Sequence, residues 1–192
     1  IEQVASLRLV PNLHVWRPAD GVETALAWGM ALERGDGPSA IVLTRQKLPA
    51  IARPSGAGEA EMRRGGYRVA GTGRPDAVVA ATGSELSLAV GAREALAAKG
   101  VELHVVSIPC AEIFTPQDGA YRDALFPPGV PVATIEAGRT TPWRALAGPK
   151  GLCLGIDHYG ASAPGGVLGE KFGFTVEAVT RAIEEWLPAR RG

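Results

Sequence analysis

Apolar and polar positions alternate along the chain in two kinds of stretch. Short apolar runs, "SAIVLT" (39–44), "DAVVAAT" (76–82), "VELHVVSI" (101–108), "PVATIEA" (131–137) and "LCLGID" (152–157), have the length of buried strands. Between them lie stretches with helical spacing. In residues 17–38 Asp20 precedes Glu23 by three positions, a capping-box arrangement, and Val22, Leu26 and Met30 repeat every four residues. Gly35 is placed to stop that helix by a left-handed turn. The segment 85–99, closed by Gly100, predicts a second helix. A third, over 115–126, has Thr115 as cap and Pro116 at its first position, and "TTPWRALAG" (140–148) repeats the Thr-Pro start. Residues 162–174 and 175–187 predict two closing helices, the last with Val176, Val179 and Ile183 on one face.

Strands alternating with helices predict an α/β fold, a three-layer sandwich whose mainly parallel sheet is covered on both sides. The pattern lapses over residues 49–66, where Pro, Gly, Ala and charged residues take over as in a connector. The expected organisation is a partial αβ unit over 1–49, a linker over 50–66 and a domain over 67–192. One helix and one strand cannot shield both faces of "AIVLT". The unit must either fold back on the following domain or pack against a second copy, and the second arrangement is favoured.

Composition narrows the function. The chain has 192 residues, 46% hydrophobic and 21% charged, enough to bury a core. Twenty basic residues balance twenty acidic ones, which leaves no electrostatic footprint for nucleic acid. No apolar run is long enough to span a bilayer, so no membrane partner is expected. Cys110 and Cys153 lie far apart with no metal-ligand spacing, which fits a reducing cytoplasm. The first residue is Ile1, and "IEQVASLRLVPN" reads as the inside of a folded segment, so a longer protein is expected.

Candidate chemistry is sparse. "ATGSE" (81–85) is a strand-to-helix turn whose amides could receive an anion, but turn geometry and capping explain its Gly and Ser equally well. Glu136 and Arg139 in "IEAGRTTPW" read as a local ion pair. His14, His104 and His158 share no spacing that suggests a metal, and His104 reads as a sheet residue. Arg45 differs, because it follows "AIVLT" directly and a guanidinium suits carboxylate or phosphate.

Taken together, "IEQVASLRLVPNLHVWRPADGVETALAW", "DGPSAIVLTRQKLP", "RGGYRV", "ATGSE", "YGASAP" and "FGFT" resemble the end of a transketolase, over essentially the whole chain. The resemblance implies an enzyme of the pentose phosphate pathway, cytoplasmic and homodimeric. It moves a two-carbon ketol unit from a ketose phosphate to an aldose phosphate with thiamine diphosphate and magnesium or another divalent cation. Residues 1–49 would be the tail of the pyrimidine-binding domain and 67–192 the C-terminal domain. Arg45 matches the arginine of the family's "SRQ" motif and would hold the substrate phosphate. No catalytic, cofactor-binding or metal residue is carried over, since the family's would precede Ile1, and the chain alone is expected to be inactive. Thr44 stands where the family often has Ser, and Tyr159 where it often has Phe. The alternatives are a stand-alone regulatory or interaction module of this fold, or the corresponding part of a dehydrogenase E1 β subunit or deoxyxylulose phosphate synthase. "TRQKLP" and "YGASAP" favour transketolase.

Overall fold

A computed structural model describes residues 1–53 and 59–187. The first 41 residues form α1 (Gln3–Leu7), β1 (His14–Trp16), α2 (Gly21–Glu33) and β2 (Ser39–Ile41), with β1 and β2 parallel. Helix α2 begins where the sequence predicts. The Asp20 carboxylate accepts the amides of Val22 and Glu23, and Glu23 reaches back to the amide of Ala19 at 2.7 Å, one residue further than a capping box requires. Its other end differs from expectation, because Gly35 is not left-handed. The chain leaves the helix through an extended Arg34, whose guanidinium bonds Asp36 Oδ1 and the Asn12 carbonyl and so closes the turn. Strand β2 is also shorter than "SAIVLT". Its partner β1 has only three residues, and one further bond, Val42 N to the Trp16 carbonyl at 2.8 Å, ends the ladder.

The expected connector over 50–66 lies partly outside the described residues, and its described end holds a one-turn helix, α3 (Glu59–Met62), with Met62 buried in the core. The rest of the chain forms β3 (Tyr67–Ala70), β4 (Ala77–Ala81), α4 (Leu86–Ala97), β5 (Leu103–Ser107), α5 (Ala111–Phe114), α6 (Gly119–Leu125), β6 (Val132–Ile135), α7 (Arg144–Ala147), β7 (Leu152–Leu154), α8 (Gly165–Phe172) and α9 (Val176–Trp186). The sheet order is β3-β5-β4-β6-β7, parallel except for β3, which runs antiparallel to β5. The helix expected from Thr115 starts instead at Gly119, where Asp118 caps it through the Tyr121 amide. Thr115 turns its hydroxyl back onto the Ala111 carbonyl of α5, a local bond that competes with capping.

Alternation within β4 builds the three layers. Ala77, Val79 and Ala81 face α4 and α9, packing with Leu86, Leu96, Val179 and Ile183. Val78 and Ala80 face Phe114, Leu125 and Trp143 on the other side. Both faces are dry, as expected for central strands of a parallel sheet.

Candidate functional site

In open parallel sheets the carboxyl ends of the strands, at a switch in strand order, are where ligands usually sit. Here β4 is that switch, with β5 on one side and β6 on the other. The residues that emerge there are Thr82, Glu85 and Glu136, and the N-terminal unit fills the crevice with two arginines. Arg8 meets Glu136 through two parallel bonds of 2.8 Å. Arg17 bonds the Thr82 hydroxyl at 2.9 Å and Glu85 at 3.0 Å, and lies 3.4 Å from Glu136. Thr82 donates to Glu136, and the Ala137 amide donates to Glu85. Arg8 and Glu136 are almost completely buried.

The electrostatics follow from this geometry. Burial alone would raise the Glu136 carboxyl, but the bonds and charge of Arg8, with the charge of Arg17 and the Thr82 hydroxyl, hold it below its ordinary value. Burial would likewise lower Arg17, yet Glu85 and Glu136 raise it. A second cluster lies beside the first. The Glu23 carboxylate accepts the hydroxyls of Tyr67 and Ser107, each at 2.7 Å, and burial outweighs these bonds and raises its pKa. Arg53 clamps both oxygens of Asp20 at 2.8 Å.

These contacts revise several expectations. Glu136 pairs with Arg8 across the junction, not with Arg139, which lies 3.6 Å from Asp157. The "ATGSE" turn is closed by the chain itself, as the favoured reading expects. Its Gly83 amide donates to the Arg17 carbonyl at 2.9 Å, and two carboxylates surround it. Gly83 needs to be glycine, since φ is +56° and a Cβ would come within 3.2 Å of the Arg17 guanidinium. Sequence reasoning passed over Arg8 and Arg17, although Arg17 follows the apolar "HVW" much as Arg45 follows "AIVLT".

Arg45 lies four residues beyond β2, in a loop instead of at the strand end, because the β1 ladder is too short to carry the strand further. It is exposed and has no hydrogen-bond or ion-pair partner among the described residues. Its neighbours are tied together: the Thr44 hydroxyl donates to Gln46 Oε1, and the Gln46 amide donates to the Thr44 hydroxyl at 3.3 Å. Thr44 and Gln46 line a cleft of about 410 Å³ together with Ser84, Ala137, Leu168 and Phe172.

His104 is buried in β5 and His158 is exposed in the loop before α8. Cys110 is a buried thiol whose pKa burial pushes up, and Cys153 lies in β7. Among the described residues no group of three or more His, Cys, Asp or Glu side chains could hold a metal ion. The strand-end carboxylates are paired with the chain's own arginines. No described helix is long and apolar enough to cross a membrane.

The transketolase of chromosomal origin from Cupriavidus necator is 50% identical over 188 residues, 96% of this chain and 28% of the relative. That of Aquifex aeolicus is 46% identical over 189 residues, 97% of this chain and 27% of the relative. Among solved structures, a Pichia stipitis transketolase in complex with sedoheptulose 7-phosphate superposes with a TM-score of 0.92 at 34% identity, covering 100% of this chain and 28% of that one. The Leishmania mexicana transketolase gives 0.89 at 41%, covering 98% and 27%. The chain thus spans little more than a quarter of the length of these relatives. Residues 1–50 match the family described as transketolase, pyrimidine binding domain. Because residues 65–175 match the family described as transketolase-like C-terminal domain, and these similarities run through the whole fold, the chain belongs to the transketolase family.

Proposed function

We propose that the chain works as the C-terminal portion of a transketolase, which transfers a two-carbon ketol unit between sugar phosphates with thiamine diphosphate and magnesium or another divalent cation. The observation that carries this reading is the match of nearly the whole chain to transketolases from different organisms, at half-identical sequence. The boundaries proposed are a tail of the pyrimidine-binding domain over 1–49, a linker over 50–66 and the C-terminal domain from 67. The free thiols Cys110 and Cys153 suit a reducing cytoplasm. Leu9, Trp28 and Leu32 stay exposed on the N-terminal unit even though it packs on the following domain, which supports a homodimer or a larger assembly that covers them.

Within that enzyme Arg45 is the substrate residue. A forked guanidinium grips phosphate oxygens in pairs while the reacting carbons vary, and here it is exposed, without a partner among the described residues, between two residues that line a cleft. Such charge-assisted bonds are worth about 1.5–3 kcal/mol. In the full-length enzyme Arg45→Ala is expected to lower kcat/KM for phosphorylated substrates roughly 10- to 100-fold. An unphosphorylated donor such as hydroxypyruvate loses much less. Equal losses for both would make Arg45 a structural residue.

No residue of this chain is assigned a step of the ring chemistry, since the family's cofactor residues are expected to precede Ile1. Calorimetry of the isolated chain with thiamine diphosphate and magnesium is expected to show no saturable heat. Binding in the micromolar range would overturn this and place a cofactor site within the chain.

A further inference from the structure

We propose that the C-terminal domain sets the position of the Arg45 loop through Gln46, whose carboxamide is wedged between Thr44 and the glycine that opens α8. The proposal rests on the reading of Arg45 as the phosphate residue. It gives the C-terminal domain a part in substrate selection.

The geometry runs through three contacts. Gln46 Oε1 accepts the Thr44 hydroxyl, and the Gln46 amide donates back to that hydroxyl, so a closed ring spans Arg45. The other atom of the same carboxamide, Nε2, rests on Gly165, close enough that a Cβ there would come within 2.7 Å of it. Gly165 is the first residue of α8, whose later residues Leu168 and Phe172 line the cleft that Gln46 also lines. An exposed arginine has several freely rotating bonds, and ordering it on phosphate costs side-chain entropy. A loop held from both sides lowers the backbone share of that cost.

The underlying frame is rigid. Gly83 is tied to the Arg17 carbonyl, and Arg17 directly follows β1, whose pairing with β2 ends at the Val42 N to Trp16 O bond, two residues before Thr44. The C-terminal domain therefore holds the loop at its root through Arg17 and at its tip through Gly165. Gly165 has an ordinary backbone conformation, so a larger side chain there adds bulk without backbone strain. Since Gln46 is itself exposed and flexible, the bulk displaces Gln46, not the helix.

The test uses the full-length enzyme with a ketose phosphate and with hydroxypyruvate as alternative donors. Gly165→Val and Gln46→Ala are each expected to raise KM for the phosphorylated donor roughly 3- to 10-fold, with kcat and the hydroxypyruvate KM little changed. In the Gln46→Ala background Gly165→Val adds nothing further, because its target is gone, and in the Arg45→Ala background neither change has an effect. If Arg45→Ala is selective for phosphate while Gly165→Val and Gln46→Ala are not, the wedge is wrong and the reading of Arg45 stands. Losses from Gly165→Val that are equal for both donors, or additive with Gln46→Ala, also overturn the wedge. An Arg45→Ala enzyme without phosphate selectivity removes both.

Discussion

Glu136→Ala is expected to destabilise the chain by about 3–5 kcal/mol, because it leaves the buried Arg8 guanidinium with only Glu112, 3.8 Å from its Nε, as counter-charge. Arg8 loses both of its 2.8 Å bonds, and Arg17 keeps only Glu85 as a carboxylate partner. The effect concerns the junction more than either domain alone, since Arg8 comes from the N-terminal unit and Glu136 from the end of β6. Denaturant unfolding followed by circular dichroism measures it, and a loss below about 1 kcal/mol would show that water reaches the pair. The same contact gives a pH dependence. The folded Glu136 carboxyl lies below the ordinary 4.5, so its contribution is complete above that value and disappears as pH falls through the lower folded value. Asp20, which burial alone would raise but Arg53 and two amides lower, acts in the same direction. The protein should therefore lose stability on acidification below about pH 4.5, and Glu136→Gln should flatten that loss.

Glu23→Ala carries the second large effect, a loss of about 2–4 kcal/mol, since it strands three buried donors: the Ala19 amide and the hydroxyls of Tyr67 and Ser107. Relief of the buried carboxyl offsets part of this, which keeps the figure below the sum of three unsatisfied groups. Its pH signature is opposite to that of Glu136. A folded pKa above the ordinary value means that the folded state holds the proton more tightly, so stability falls as pH rises from 4.5 towards the raised value. Glu23→Gln should remove the gain in stability on acidification between the raised value and 4.5, and leave the loss below 4.5 unchanged. Unfolding measured from pH 4 to pH 8 checks the sign, and a parent that gains no stability relative to Glu23→Gln as pH falls towards 4.5 would contradict the assignment.

Much of the fold was legible because it rests on local pattern. Strands β4, β5 and β6 are apolar runs of the right length, and Asp20 and Gly100 punctuate helices as their chemistry demands. Strand β3 escaped notice because four residues, "YRVA", carry too little pattern, and it joins the sheet only through antiparallel pairing with the distant β5. The start of α6 was misplaced because Thr115 and Pro116 carry a helix signal that the α5 turn takes over. Part of the cover for the N-terminal unit comes from the following domain, where β1 packs beside Cys110 and the unit's arginines enter the crevice, while Leu9, Trp28 and Leu32 remain exposed for the favoured self-association.

The candidate site divides in the same way. Arg45 stood out in the sequence as a cation after an apolar run, and the family resemblance supplied its proposed role. Arg8, Arg17 and Gln46 did not stand out, because their partners lie 128, 68 and more than a hundred positions away, and no local spacing encodes such distances. The sequence by itself determined the alternation of strand and helix, the boundaries set by caps and glycines, and the family, all of which depend on neighbours within a few residues or on motif order. Only the tertiary structure decided which carboxylate meets which arginine and where the Arg45 loop rests, because a buried charge must find its partner in space, whatever its place in the chain.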